Sequence, residues 1–263
     1  MSAAPLPDWL VPHWPAPPGV KAVCSTRTGG VSEGPFESLN LGDHVGDDPA
    51  AVQANRQRYA DALGARPVYL RQVHGTDVIA LESATPDGVE ADACFATGPG
   101  VACTIMVADC LPVLLATTDG TAVAAAHAGW RGLAGTAGAG VLERVCERFG
   151  ALARMRGAQD AIETIAWLGP CIGPQAFEVG PEVKAAFEAA DPAAGRHFRP
   201  HAPGKWLADL AGLARQRLQV LGITQVYGND GSDAWCTVAN PSRFFSHRRD
   251  RVSGRFAASI WLD

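Results

Sequence analysis

The chain has 263 residues, of which 47% are hydrophobic and 19% are charged, and its formal net charge is −5. This composition is typical of a globular protein with a substantial core and excludes a disordered chain. The acidic charge and the lack of a long basic tract argue against nucleic-acid binding, and no apolar run approaches the roughly 20 residues of a membrane span.

Short runs of apolar residues that are typical of buried β-strands recur along the chain. The predicted strands cover residues 20–25, 67–73, 77–81, 101–108, 113–116, 121–127, 165–168, 225–227, 244–247 and 256–261. Several of these runs are apolar at almost every position, which indicates sheets that are covered on both faces.

Four helices are predicted between these strands. Asp48 and Pro49 begin the first helix, because an N-cap residue followed by proline is typical of a helix start, and Gly64 ends it. Gly150 is expected to stop the second helix. The second helix is predicted over residues 133–149, and the third is predicted to start at Pro181. The fourth is predicted over residues 207–221, with Gly222 at its end.

The second predicted helix contains Gly135, Gly138 and Gly140. Their order reverses that of a dinucleotide-binding motif, so close packing of this helix on a sheet is the preferred interpretation. Helices and strands alternate without a strict βαβ order. The pattern therefore predicts one α/β or α+β domain in which helices cover a mixed sheet.

The seven cysteines are odd in number, and none of them forms a Cys-x-x-Cys pair. This pattern argues against a secreted disulfide framework and for reduced thiols. The N-terminus lacks the basic region and the apolar core of a signal peptide. We therefore expect a soluble cytoplasmic protein without nucleic-acid or membrane partners, either a monomer or a weak homodimer.

Two histidines and one cysteine, His74, Cys110 and His127, each lie where an apolar strand meets a turn. Imidazole nitrogen and thiolate sulfur are preferred ligands of zinc and copper, and three protein ligands leave a position for water or substrate. The intervals between the three residues match no zinc-finger spacing. Ordinary buried residues are the alternative, since free cysteines are often buried and a histidine in apolar surroundings is usually only hydrogen-bonded.

Asp109 precedes Cys110 within a run of apolar residues. A carboxylate is costly to bury there unless it is paired or functional. Three roles for it stay equally open at this point: it orients a ligating histidine, it caps a turn, or it pairs with Arg131.

Other polar segments are candidates for binding an anionic substrate. Arg27 lies in a loop with three hydroxyl side chains and two glycines, which suits an oxyanion. Asn40 stands between two leucines and is expected to face a pocket. Arg248 and Arg249 follow two phenylalanines, a combination that suits a nucleoside or a sugar phosphate. A glycine turn with an exposed arginine, and ordinary surface strands with ion pairs, are the structural alternatives.

The polar segments occur in an order that resembles the YfiH family, also called the laccase-domain or multicopper polyphenol oxidoreductase family. The matching segments are residues 25–32, 38–42, 72–75, 108–113, 127–132, 168–174, 177–179, 245–250 and 254–255. The resemblance extends over nearly the whole chain, from residue 20 to residue 261.

This resemblance implies a single-domain α/β/β/α fold over residues 1–263, with residues 1–18 as an extended N-terminal segment. It also implies a metal site formed by His74, Cys110 and His127, with zinc as the expected ion and copper as an alternative. Cys171 occupies a position that is often alanine in the family, and it either adds a fourth soft ligand or fills space, the second being preferred.

Three functions remain in competition. The resemblance implies phosphorolysis of adenosine, inosine and 5′-methylthioadenosine, with a companion adenosine deaminase activity. For these reactions we expect four catalytic residues, His74, Cys110, His127 and Asp109. We expect four others to bind substrate and phosphate, namely Arg27, Asn40, Arg248 and Arg249. The second is a Cys-His hydrolase that edits peptidoglycan precursors, with Cys110 as nucleophile and His127 as base. The third is copper-dependent phenol oxidation.

The histidine count argues against a multicopper oxidase. The chain has only 7 histidines, without His-x-His or His-Cys-His, whereas such an oxidase needs a trinuclear copper cluster rich in histidine. A binding protein without catalysis is disfavoured, because clustered Arg, His, Cys and Asp are costly in a passive role. We therefore predict the purine nucleoside phosphorylase.

Overall fold

The computed structural model describes residues 8–155 and 163–263. The strands in these ranges are β1 (Val20–Cys24), β2 (Arg66–Tyr69), β3 (Val78–Ala80), β4 (Ala93–Ala96), β5 (Val101–Val107), β6 (Leu111–Thr117), β7 (Val123–Ala128), β8 (Thr164–Leu168), β9 (Glu178–Val179), β10 (Phe198–Pro200), β11 (Trp206–Ala208), β12 (Val226–Gly228) and β13 (Phe256–Leu262). The α-helices are α1 (Pro49–Leu63), α2 (Trp130–Ala134), α3 (Val141–Met155), α4 (Pro181–Glu188), α5 (Leu210–Val220) and α6 (His247–Asp250).

The strands form three sheets, two of which build the body of the fold. A 4-stranded sheet has the order β1-β13-β5-β2, and a 6-stranded sheet has the order β12-β8-β6-β7-β4-β3. Both sheets are mixed. In the 4-stranded sheet β5 pairs with β2 in parallel and with β13 antiparallel, and in the 6-stranded sheet β4 pairs with β3 in parallel and with β7 antiparallel. A small 3-stranded sheet of β10, β11 and β9 lies beside them.

Three apolar cores arrange these sheets in layers. One core lies between the two large sheets and contains Ile105 of β5 and Leu114 of β6. A second core joins the outer face of the 6-stranded sheet to α3, α4 and α5. A third core packs Tyr59 of α1 on the outer face of the 4-stranded sheet. The chain is therefore an α/β/β/α structure, as the resemblance implies.

The first helix forms as its sequence predicts. The side chain of Asp48 accepts a hydrogen bond from the Ala50 amide at 3.1 Å, and Pro49 is the first helical residue. Gly64 ends the helix in the left-handed conformation with φ of 66°. The predicted start of the third helix at Pro181 is also confirmed.

The second predicted helix is wrong in two respects. The chain forms two helices there, α2 and α3, because Gly135 turns the backbone with φ of 66° and approaches Ala139 too closely for any side chain. The predicted stop at Gly150 is also wrong, since α3 continues to Met155. A glycine inside a helix costs only about 1 kcal/mol, and the apolar face of α3 outweighs that cost.

The other differences concern short elements. The strand predicted over residues 244–247 is wrong. Phe244 and Phe245 are buried but lie in a loop, Ser246 is the N-cap of α6, and His247 is the first residue of that helix. Leu207 belongs to β11 and not to the fourth helix. The sequence also left β4 and β9–β11 unpredicted. Within the described ranges, no helix is long and apolar enough to cross a bilayer.

Candidate metal centre

His74, Cys110 and His127 come together at one end of the two large sheets. His74 lies in the loop after β2, Cys110 lies in the turn between β5 and β6, and His127 lies near the end of β7. Their ligand atoms are all within 4.8 Å of one another, and His74 Nε2 is 3.6 Å from Cys110 Sγ. Two imidazole nitrogens and one thiolate sulfur suit a zinc or copper ion.

Two glycines after β7 allow this close approach. A Cβ at Gly129 would stand 2.9 Å from His74 Cδ2 and 3.0 Å from Cys110 Sγ. A Cβ at Gly132 would stand 2.7 Å from the carbonyl oxygen of Gly75, next to His74. Any larger residue at either position would push the ligand side chains or their loop out of place.

Asp92, the residue before β4, connects the separate parts of the cluster. Its carboxylate accepts hydrogen bonds from the backbone amides of Val73, His74 and Gly75 at 3.1, 2.9 and 2.6 Å. It also lies 2.8 Å from Nδ1 of His127. In the neutral imidazole, a proton on Nδ1 that is donated to Asp92 leaves Nε2 of His127 unprotonated and able to bind a metal ion.

The cluster shifts the pKa of its own members. Burial alone would raise the pKa of Cys110, but the charge of His127 and hydrogen bonds from His127 and His74 lower that pKa to about 6. Burial likewise opposes the protonation of His127, yet Cys110 and Asp92 raise its pKa to about 9. The arrangement therefore stabilises a thiolate, the form of cysteine that binds metals and attacks electrophiles.

The cluster opens into a cavity of about 350 Å³. This volume is within the range of small-molecule sites, roughly 300–1,000 Å³. Besides the three cluster residues, its wall includes Asp109, His44, His247 and four arginines, Arg131, Arg248, Arg251 and Arg255. The cavity combines a metal-binding corner with a strongly cationic wall.

Asp109 lines this cavity, but it does not orient a histidine. Its Oδ1 accepts a hydrogen bond from the Thr237 hydroxyl at 2.6 Å, and its Oδ2 accepts one from the Arg248 amide at 2.6 Å. The orienting role that was expected of Asp109 belongs to Asp92. Asp109 instead accepts a backbone amide hydrogen bond from the first turn of α6 and so holds this helix at the cavity. Of the expected roles, this one is nearest to the turn cap.

Of the four residues expected to bind substrate or phosphate, Arg248 alone lines the cavity. Arg27 donates to the carbonyl oxygens of Glu37 and Pro241 at 2.8 and 3.0 Å. Asn40 is fully buried and bonds to Gly42, Asp47 and the Arg255 amide. Arg249 pairs with Asp250 and donates to three carbonyl oxygens. The polar atoms of Arg27, Asn40 and Arg249 therefore bond to the protein itself and stabilise its fold.

Cys171 is buried beside the cavity, and it is not part of the cluster. Its sulfur lies 3.4 Å from the carbonyl oxygen of Ile172 and accepts a hydrogen bond from Nδ2 of Asn229. Burial raises the pKa of this thiol. These contacts favour the space-filling role over that of a fourth ligand.

Sequence reasoning missed Asp92, Arg131 and Arg255 as site residues. Asp92 stands between two alanines at the start of an apolar run, which is the same signal that identified Asp109. Arg131 follows His127 in a segment that the resemblance includes, and Arg255 lies in another. A search for every charged residue in the matching segments would have found Arg131 and Arg255, whereas Asp92 lies outside those segments.

The chain is similar to a family and to named proteins over almost its whole length. The family described as multi-copper polyphenol oxidoreductase laccase matches residues 21–263. A purine nucleoside phosphorylase of Pseudomonas aeruginosa is 51% identical, with 97% of this chain and 98% of that protein covered. The purine nucleoside phosphorylase YfiH of Escherichia coli is 49% identical, with 96% and 98% covered.

Solved structures agree with this similarity. The crystal structure of a Neisseria meningitidis protein has a TM-score of 0.83 and 43% identity, and the match covers 98% of this chain and all of that one. The crystal structure of YlmD from Geobacillus stearothermophilus also has a TM-score of 0.83, with 31% identity and coverage of 97% and 96%.

Proposed function

The chain belongs to the multi-copper polyphenol oxidoreductase laccase family, and we propose that it is a metal-dependent purine nucleoside phosphorylase. The observation that carries this proposal is the joint presence of a His-Cys-His cluster and a cationic wall in one cavity. Phosphorolysis brings a nucleoside and an anion together, and a cavity of about 350 Å³ with four arginines suits both. The names of the relatives agree with this chemistry.

The substrates we propose are adenosine, inosine and 5′-methylthioadenosine. In phosphorolysis an oxygen of phosphate forms a bond to C1′ of the ribose while the bond from C1′ to the purine nitrogen breaks. The purine leaves with its electron pair and takes up a proton. The sugar leaves as ribose 1-phosphate from adenosine or inosine, and as 5-methylthioribose 1-phosphate from 5′-methylthioadenosine. The protein has to orient phosphate on one side of C1′ and hold the base on the other.

His74, Cys110 and His127 would hold the metal ion, for which we propose zinc, with copper as an alternative in the same site. A bound metal ion supplies Lewis-acid chemistry and lowers the pKa of a water molecule, which adenosine deamination requires. Asp92 keeps Nδ1 of His127 as the protonated nitrogen and fixes the loop of His74. The fit rests on the donor set and on its compactness.

A cytoplasmic location is part of the proposal. All seven cysteines are free, including four in the apolar cores, Cys24, Cys94, Cys103 and Cys171. Free thiols persist in a reducing compartment such as the cytoplasm.

The test is an incubation of pure, metal-analysed protein with inosine, adenosine or 5′-methylthioadenosine, with and without phosphate. We expect free base and ribose 1-phosphate from inosine only when phosphate is present, and inosine as an additional product from adenosine. Release of free ribose at the same rate without phosphate would show that the protein hydrolyses nucleosides and would refute the phosphorylase.

A Cys-His hydrolase is the second candidate, and the pKa of Cys110 is the observation that favours it. A thiol with a pKa of about 6, beside a histidine that a carboxylate orients, matches the arrangement of an activated cysteine nucleophile. In this case the substrate would be an amide, such as a peptide of a cell-wall precursor.

Alkylation with iodoacetamide separates the two candidates. As a metal ligand, the Cys110 thiolate should react slowly until a chelator removes the metal, and then rapidly at pH 7. The rate in the metal-free protein should fall as the pH drops through about 6, because the thiolate becomes protonated. Rapid alkylation of the metal-loaded protein, together with a trapped acyl intermediate, would favour the hydrolase.

Copper-dependent oxidation of phenols, which the family description names, has less support. Of the residues that the structure describes, His74, Cys110 and His127 form the one group of three or more metal-ligating side chains. A trinuclear copper cluster needs several further histidines close together.

A further inference from the structure

The wall of the cavity carries much more positive than negative charge. Arg131, Arg248, Arg251 and Arg255 line it, whereas Asp109 is the one carboxylate among the lining residues. Both oxygens of Asp109 already accept short hydrogen bonds, from the Thr237 hydroxyl and the Arg248 amide. The guanidinium charges are therefore left without a matching carboxylate.

Two of the four arginines are held in place by backbone carbonyl groups. Arg248 donates from Nη1 to the carbonyl oxygens of Ala176 and Glu178 at 3.4 and 3.1 Å. Arg255 donates from Nη1 to those of Ser253 and Gly254 at 2.9 and 3.0 Å. In both side chains one end of the guanidinium is fixed, and the remaining N–H groups have no hydrogen-bond partner among the residues that the structure describes.

The other two arginines have no polar partner within residues 8–155 and 163–263. Arg131 lies over the ring of Trp130, with its guanidinium carbon 4.5 Å from the ring centre, and makes no hydrogen bond or ion pair. The side chain of Arg251 makes none either. In contrast, Arg27 and Arg249, which lie outside the cavity, use their N–H groups on the protein itself.

We propose that this wall is the phosphate subsite, with Arg131 and Arg251 as the arginines that bind the dianion directly and Arg248 and Arg255 as its fixed support. This inference rests on the proposed phosphorolysis, and it replaces Arg27 and Arg249 as the phosphate-binding residues. Guanidinium groups bind phosphate through paired N–H donors, and each such pair fixes both position and orientation. Arg131 is four residues from His127, so the anion would lie next to the metal-binding corner.

The test uses Arg131→Gln and Arg251→Gln in the full chain loaded with metal. Within the described ranges neither side chain has a hydrogen bond to lose, so both variants should fold as the wild type does. Arg243→Gln is the matched control, because Arg243 lies over the ring of Phe244 at 5.1 Å and outside the cavity. Arg131→Lys serves as the conservative variant, since it keeps the charge and loses the paired donors.

Two measurements are needed: binding of radiolabelled inorganic phosphate by equilibrium dialysis, and the KM values for phosphate and inosine. We expect each glutamine variant to bind phosphate about ten- to a hundredfold more weakly and to raise the KM for phosphate by a similar factor. The KM for inosine should change by less than about threefold, and Arg131→Lys should lose less than Arg131→Gln. Arg243→Gln should match the wild type in both measurements.

The outcomes distinguish this inference from the proposed function. Loss of phosphate binding in the two variants of a protein that cleaves no nucleoside would support the subsite and refute the phosphorylase. Phosphate-dependent cleavage with an unchanged KM for phosphate in both variants would overturn the subsite and leave the phosphorylase. A wild-type protein that binds no phosphate would also overturn the subsite.

Discussion

Two polar regions of this protein look alike in the sequence and behave differently in the structure. The first, which we call the anchored loop, covers residues 25–42 and contains Arg27 and Asn40. The second is the cavity with His74, Cys110 and His127. Both combine glycines with charged or amide side chains next to apolar strands. From the sequence, both are equally good candidates for a binding site.

The difference lies in where the polar atoms find their partners. In the anchored loop the polar side chains bond to the protein: Arg27 to two carbonyl oxygens, and Asn40 to Gly42, Asp47 and Arg255. Asn55 of α1 completes the region with bonds to Val31, Ser32, Ser38 and Asn40. In the cavity, Arg131 and Arg251 have no polar partner in the described chain.

This comparison shows how to separate structural from functional polar residues. A buried polar group must be hydrogen-bonded, so a saturated cluster needs no ligand to explain it. A cluster with unused donors around a cavity does need one. Four substitutions test the comparison, and they follow from the largest expected effect to the smallest.

Cys110→Ala should abolish both stoichiometric metal binding and phosphorolysis, because it removes the one sulfur ligand. Cys110 is only partly buried, so the free energy of unfolding of the metal-free protein should change by less than about 1 kcal/mol. Elemental analysis and the inosine assay measure the loss. Cys146→Ala, in α3 and outside the cavity, is the control that should keep both properties. Wild-type metal content in Cys110→Ala would remove Cys110 from the ligand set.

Asn55→Ala should lower the free energy of unfolding by about 3 kcal/mol, because it leaves the Val31 amide and the Asn40 carbonyl without their partner and removes one of the two donors to the Ser38 carbonyl. Activity per folded molecule should stay at the wild-type level. Urea unfolding and the inosine assay at 25 °C measure the two effects. Gln57→Ala, on the exposed face of the same helix, should change stability by less than about 0.5 kcal/mol. A stable but inactive Asn55→Ala would place the anchored loop in the site.

Asp92→Asn should weaken metal binding about ten- to a hundredfold. An amide has one acceptor oxygen, so it cannot serve the three backbone amides and Nδ1 of His127 at once. Competition with a chelator of known affinity measures the metal Kd on folded protein. Asp87→Asn is the control, because Asp87 also accepts a backbone amide hydrogen bond, from Tyr69, outside the site. Unchanged metal affinity with lowered stability would reduce Asp92 to a structural residue.

Arg27→Gln should have the smallest effect, a loss of about 1 kcal/mol in the free energy of unfolding, since it removes two bonds from a partly exposed side chain. The KM for phosphate should not change. Arg58→Gln, which loses one exposed bond to the Gly29 carbonyl, is the matched control. A tenfold rise in the KM for phosphate in Arg27→Gln, but not in Arg58→Gln, would show that the anchored loop takes part in binding phosphate.

Local patterns predicted the parts of the fold that local interactions stabilise. The first helix was predicted with both ends, because Asp48, Pro49 and Gly64 act on their own neighbours. The split of the second helix and the length of α3 were not predicted, because the turn at Gly135 and the packing of α3 on the 6-stranded sheet depend on distant residues. Phe244 and Phe245 look like a strand and are instead buried loop residues for the same reason.

By itself, the sequence determined the α/β composition of the fold and, through its resemblance to a family, the three residues of the cluster. The tertiary structure alone decided that Asp92, and not Asp109, holds the cluster together. It also decided that Arg131 and Arg251 have no polar partner among the described residues, whereas Arg27 has two. The physical reason is that a side chain's role depends on which of its polar atoms are already bonded. Those bonds join residues that are far apart in the chain, such as Asp92 and His127 or Arg27 and Pro241.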